Sequence, residues 1–314
     1  MTRCCRSITL GDMSKRPPTV RRRRLGVQLR KIREERGLTL DEAAALVMMS
    51  KSALSRMENA QVVARAHEID YILMAYGVEE GDDLRSALVG LATGGRSRDW
   101  IRRHKQLNRA ANYGEYVLLE QDASEFFAYE GDLIPGLLQT PGYARAVLDS
   151  VPTNAGRDID QAVDFRMARQ DALTRPNPIL IKAVIGEAAL CQRVGGRPVM
   201  IQQLQHLLEL LKRPNVGLQV LPFTSERKPA LDGSFGILHV EAGNFPIVVI
   251  DGLLRSLFLE EEEEVAAYRD IQAKLCMVAL SEAETRERIE RAIRDFESGQ
   301  AEGTAGDLLA EEQP

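Results

Sequence analysis

Between positions 25 and 59, apolar side chains recur every three or four residues in three short blocks, separated by residues that stop or start helices. Leu25, Leu29 and Ile32 share one helical stripe, while Gln28, Arg30, Lys31 and Arg33 take the other faces. Gly37 ends that helix as a left-handed cap. Thr39 followed by Glu42 is a capping box, so a second helix starts at Leu40. Ala43, Ala44 and Val47 give it a small inner side that lets another helix cross closely, and it ends near Met48 or Met49. Ser50 can cap a third helix. Turning about 100° per residue puts Lys51, Ser52, Ser55 and Arg56 on one arc and Ala53, Leu54 and Met57 on the opposite one.

Further along, residues 66–76 carry Ile69, Ile72 and Leu73 at helical spacing and should close the bundle, with Gly77, Gly81, Asp82 and Asp83 breaking it. A short helix over 84–91 then leads into the linker candidate TGGRSRD. Residues 100–119 read as helix, with Arg102, Arg103, Lys105 and Arg109 forming a second basic face that is more simply a solvated one. From about Phe126 the pattern becomes mixed. Strands are predicted over 179–185, 216–221, 235–240 and 246–250, and helices over 159–174, 199–211, 265–279 and 282–296. The expectation is an α+β protein: an N-terminal all-α helix-turn-helix bundle, then a helix-rich α+β domain with a small sheet. Its parts are a disordered basic N-terminus (1–20), a DNA-binding domain (21–80), a linker with a short helix (81–99), a sensory or interaction domain (100–297) and a disordered acidic tail (298–314).

The arc of the third helix carries the chemistry. A short, polar, cationic face fits the major groove, about 12 Å wide, where lysine or arginine donates to guanine and serine to either base type. The amides at its start favour phosphate. Net charge first argues against DNA, since the chain of 314 residues carries -5. Its distribution reverses that inference. Residues 1–36 hold twelve Lys or Arg against three Asp or Glu, whereas positions 260–264 are five successive glutamates. A local basic patch, not the average, governs counterion release from phosphate. Arg21, Arg22, Arg23 and Arg24 then read either as an arm that tracks phosphates or enters a minor groove, or as a solvated basic tail. Residues before Met13 look unlike the segment after it, which makes Met13 the expected initiator.

With those residues in place, the segment resembles the phage-repressor type (Xre/Cro-like) of helix-turn-helix regulator. RxxRExxGLTLxExA lies over 30–44 and SxSxLSRxEN over 50–59. The resemblance implies a lambda-repressor-like bundle, contacts to bases or phosphates from Lys51, Ser52, Ser55 and Arg56, and a supporting role for Glu58 at the end of the reading helix. Met48 and Ala60 stand where that family carries glycines. In the second half, LIPGLLQTPGYARAVL, FRMARQDAL, VIGEAAL and QLQHLLELLKRPNVGLQVLPF resemble the C-terminal domain of actinobacterial regulators of the WhiJ-like and antitoxin-like kind. That resemblance implies pairing with a small protein encoded by a neighbouring gene, and in it Asp251 is the nearest match to an acidic residue after the final strand.

Within LIPGLLQTPGYARA, Thr140 before Pro141 is a helix start. Gln139, Tyr143 and Arg145 read either as a partner surface or, preferably, as a structural turn and core. Arg169, Gln170 and Glu187 lie in apolar surroundings, and an internal Arg169–Glu187 pair is the plain account, a sensor pocket the sharper one. Cys4, Cys5, Cys191 and Cys276 lack metal-ligand spacing and read as free thiols. No phosphate loop, dinucleotide fingerprint, nucleophile elbow or HExxH motif is present. The expectation is therefore a non-enzymatic, cofactor-free, cytoplasmic regulator. It binds double-stranded DNA as a homodimer, makes no membrane contact and receives a protein or small-molecule signal. The alternative is an antitoxin-like module that neutralises a small partner and autoregulates.

Overall fold

The computed structural model describes residues 18–93, 113–151, 158–226, 229, 233–240, 245–252 and 256–299. The chain divides into two compact units, Met1–Gly94 and Gly95–Pro314. The expected termini, the start at Met13, most of the linker, and Arg102, Arg103, Lys105 and Arg109 lie outside the described residues.

The first unit is all-helical: α1 (Val20–Glu35), α2 (Leu40–Leu46), α3 (Lys51–Glu58), α4 (Ala66–Ala75) and α5 (Asp83–Thr93). Its boundaries follow local hydrogen bonding. The Glu42 carboxylate accepts from the Thr39 amide at 2.8 Å while the Thr39 hydroxyl accepts from the Glu42 amide at 3.3 Å, and the Ser50 hydroxyl accepts from the Ala53 amide at 3.2 Å. Leu29, Leu54, Ile69, Ile72, Leu73 and Leu88 are fully enclosed at the centre. Gly26 is where α1 meets the end of α3, and a methyl group there would overlap the Glu58 carbonyl oxygen.

Two expectations change. The four arginines at 21–24 form the start of α1 rather than an arm or tail, because Thr19 accepts the Arg22 amide and Val20 buries its side chain, extending the helix one turn. The helix assigned to the linker is α5, which packs on α1 and α4 and buries Leu88 and Leu91, so it belongs to the bundle.

The second unit contains α6 (Tyr113–Asp122), β1 (Ala123–Glu130), a 3-10 turn (Gly136–Leu138), α7 (Pro141–Asp149), α8 (Ile159–Arg169), β2 (Leu180–Gly186), α9 (Ala188–Cys191) and α10 (Arg197–Leu210). It continues through β3 (Val216–Leu221), β4 (Phe235–Val240), β5 (Phe245–Asp251), β6 (Ser256–Leu259), α11 (Glu262–Val278) and α12 (Glu282–Ser298). The sheet has the order β3-β2-β1-β4-β5-β6, parallel among β1, β2 and β3 and antiparallel beyond. The protein is thus α+β. β1, which the sequence pattern did not reveal, lies at the centre of the sheet.

Alternation in β1 sorts its side chains. Phe127 and Tyr129 join Val184, Ile237, Val248 and Leu275 in one core, while Phe126, Ala128 and Glu130 point to the opposite face. The outer edge of β3 is closed by the chain around α12. There the Thr285 hydroxyl accepts the Val220 amide at 3.1 Å and the Val220 carbonyl accepts the Leu280 amide at 2.8 Å, which removes a pairing edge.

Candidate nucleic-acid interface

The reading face is built by α3. Lys51, Ser52 and Arg56 are exposed and Ser55 is half-buried, while Leu54, Met57 and Glu58 face inward. Lys51 holds Asp41 at 2.7 Å, but both side chains are more than half exposed, so this pair yields readily to a phosphate. The Arg56 guanidinium donates to the Ser52 carbonyl at 3.2 Å, lying along the helix.

What fixes α3 in place is charged and buried. Arg33 of α1 clasps the Glu58 carboxylate with two hydrogen bonds, at 2.7 and 3.0 Å, and donates to the Leu38 carbonyl at 2.9 Å. The hydrogen bond it donates to Glu58 is the main reason the Arg33 guanidinium holds its proton more tightly than usual. Arg30 reaches Asn59 at 2.8 Å, and the Asn59 amide donates to the Ser55 carbonyl at 2.8 Å, closing the helix end. The two halves of the sequence motif, Arg30 with Arg33 and Glu58 with Asn59, therefore meet in space. Tyr76 packs beside them, its phenol pushed up to about 12 by burial and, second, by the Glu58 charge.

Met48 (φ 51) and Ala60 (φ 56) both adopt the left-handed conformation that glycine favours. The turns keep their shape without glycine, at a strain of about 1 kcal/mol each. Arg21, Arg22, Arg23 and Arg24 are half-buried, and Arg23 donates to the Pro18 carbonyl at 2.6 Å. They are presented by a helix, not by a loose arm.

Comparison with known families places both units. Residues 24–88 match a helix-turn-helix domain, and residues 113–291, more than half of the chain, match a domain of unknown function, DUF5753. This chain belongs to the DUF5753 family. No curated protein and no solved structure matches it.

In the DUF5753 domain the expected Arg169–Glu187 pair does not form. Arg169 is claimed by Glu120 of α6, at 2.9 and 2.6 Å with both side chains buried, and it lies over the Tyr116 ring at 5.2 Å. Glu187 instead pairs with Arg288 at 2.6 Å and accepts the Phe223 amide at 2.7 Å. Sequence reading missed Glu120 because its helix shows little separation of polar and apolar faces.

Gln139 and Tyr143 serve as turn and core. The Gln139 amide donates to the Ile134 carbonyl at 2.7 Å, its carbonyl oxygen accepts from Arg166 at 2.8 Å, and the Tyr143 hydroxyl accepts the Ile134 amide at 3.2 Å. Arg145 is exposed and pairs with Asp160. Gln170 donates to the Gln139 backbone carbonyl at 2.6 Å. Cys191 and Cys276 are free thiols. Among the described residues, no cluster suits a metal ion and no helix is long and apolar enough to cross a membrane.

Proposed function

We propose that this protein is a sequence-specific transcription regulator of the phage-repressor type, acting as a homodimer on double-stranded DNA by binding rather than catalysis. In this reading the DUF5753 domain receives a signal. The observation that supports it is α3: a cationic, serine-bearing face turned to solvent while its back is clamped to α1 through Arg33 and Glu58. A rigid helix carrying donors at Lys51, Ser52, Ser55 and Arg56 suits base edges, and a dimer would set two such helices about 34 to 36 Å apart. Arg21, Arg22, Arg23 and Arg24 add phosphate attraction from the start of α1.

Bound sites selected from genomic fragments, followed by anisotropy titrations, test this. Ser55→Ala and Arg56→Ala should each weaken binding by about 1–3 kcal/mol and alter the preferred bases, whereas neutralising Arg22 should mainly flatten the salt dependence. Footprints unchanged by both α3 substitutions would overturn the assignment. A small protein that copurifies stoichiometrically and releases the DNA would move the reading to the antitoxin-like alternative.

A further inference from the structure

A cleft opens at the carboxyl end of β1, where the sheet switches from parallel pairing with β2 to antiparallel pairing with β4. The floor is the register row Ala128, Gly236 and Val249. Ala128 carries only a methyl group there, and Gly236 leaves room for the Phe126 ring, which walls the cleft. A methyl on Gly236 would come 2.7 Å from the Phe126 ring. The cavity measures 340 Å³, enough for a small organic molecule.

Charge is unevenly distributed around it. Beyond that row Glu130, Ser234 and Asp251 all line the cleft, and the Ser234 side chain is hydrogen-bonded to Glu130. Of the two lining arginines, Arg169 is neutralised by Glu120, and Arg166 donates to Gln139. Asp132 adds a further negative charge near Glu130. The lining thus pairs aromatic and aliphatic walls with an end where the carboxylates Glu130, Asp251 and Asp132 outnumber the single nearby cation, Arg166.

Resting on the small-molecule side of the signal-receiving role above, we propose that this cleft binds a small organic amine. Its ammonium lies between Glu130 and Asp251 and its flat apolar body rests on Phe126, Ala128 and Val249. The state of Glu130 agrees with this. Burial, then Asp251 and Asp132, push its carboxyl up to about 7 against the Ser234 hydrogen bond and Arg166. A bound ammonium would favour the ionised form and so gain affinity from its ionisation.

Tryptamine serves as the probe, with the neutral alcohol tryptophol and the anion indole-3-acetate as comparators, each titrated calorimetrically into the full chain without DNA. Tryptamine should bind at least about tenfold tighter than either comparator, and Glu130→Gln should abolish that preference while tryptophol binding stays unchanged. Tryptamine affinity should rise from about pH 6 to about pH 8 as Glu130 ionises, since an alkyl amine keeps its proton throughout that range. Asp132, Asp251 and Arg166 are the other charged groups facing Glu130. A filled floor, Ala128→Val, should weaken tryptamine and tryptophol together. No binding at millimolar concentration, tighter binding of indole-3-acetate, or a preference that survives Glu130→Gln would overturn the proposal. DNA affinity is measured separately, so loss of operator binding with the tryptamine preference intact would sink the gene-control reading alone.

Discussion

Among the described residues each unit buries one bidentate arginine–carboxylate pair, Arg33 with Glu58 and Arg169 with Glu120, and the two put the same interaction to different uses. The first lies behind a helix whose polar residues face outward, so it acts as a clamp for a surface it does not itself present. The second lies in the wall of a cleft, and Arg169 is both clamp and lining. Their surroundings differ as well. Arg33 keeps Glu34 at 3.2 Å and the Leu38 carbonyl as further partners near solvent. Arg169 has the Tyr116 ring beneath its guanidinium, and both side chains of its pair are almost wholly enclosed. A buried ion pair is thus poor evidence of what a site does until its orientation relative to solvent is known.

The sharpest break in this comparison comes from removing each carboxylate. Glu120→Ala removes the carboxylate from the more completely enclosed pair and should cost about 3–5 kcal/mol in urea unfolding, whereas Glu58→Ala should cost about 2–3 kcal/mol because Arg33 lies nearer solvent with Glu34 beside it. Equal losses would show that the two environments are equivalent. Replacing Glu120 and Arg169 together with Leu and Met should recover most of the stability, since no charge is then left buried.

Gly26→Ala tests the clamp from the packing side. The added methyl meets backbone, Met57 O at 2.9 Å as well as the Glu58 carbonyl, so α1 and α3 must separate, at about 1–3 kcal/mol by thermal unfolding. Its DNA affinity should fall with it, because α3 tilts.

On the cleft side the effect is smaller and depends on pH. Glu130 titrates at about 7 in the folded protein against an ordinary 4.5, so the native state holds a proton that the unfolded chain has released. Stability should therefore fall as pH rises between those values, by about 1 kcal/mol after screening by water in the cleft. Glu130→Gln should flatten that slope in denaturation curves taken across the window. The smallest expected change is a gain. Met48→Gly relieves left-handed strain at a residue 81% exposed and should stabilise the bundle by about 0.5 kcal/mol, while Ala60→Gly loses a buried methyl of similar worth and should be near neutral.

The helix-turn-helix bundle was legible in detail. Thr39 with Glu42, and Ser50 before α3, announce helix starts through bonds spanning three residues, and Leu54 and Met57 announce a buried back. In the C-terminal domain the helices α8, α10, α11 and α12 and the strands that read as apolar runs were legible, and β1 was not. β1 runs directly out of α6 with no turn between them, and its Ser124, Glu125 and Glu130 mask a strand that is central to the sheet. The extent of α1 and the place of α5 in the bundle were also hidden, the first by a run of arginines and the second by flanking glycines and acids.

The sequence by itself determined the caps, the helix faces and the outward set Lys51, Ser52 and Arg56, because each depends on neighbours within one helical turn. Tertiary structure alone decided that Arg169 meets Glu120, 49 residues away, rather than Glu187. It also decided that Ala128, Gly236 and Val249 share a row. Partners of a buried charge and the register of a strand are chosen by which distant segments exclude water together, and no local pattern encodes that choice.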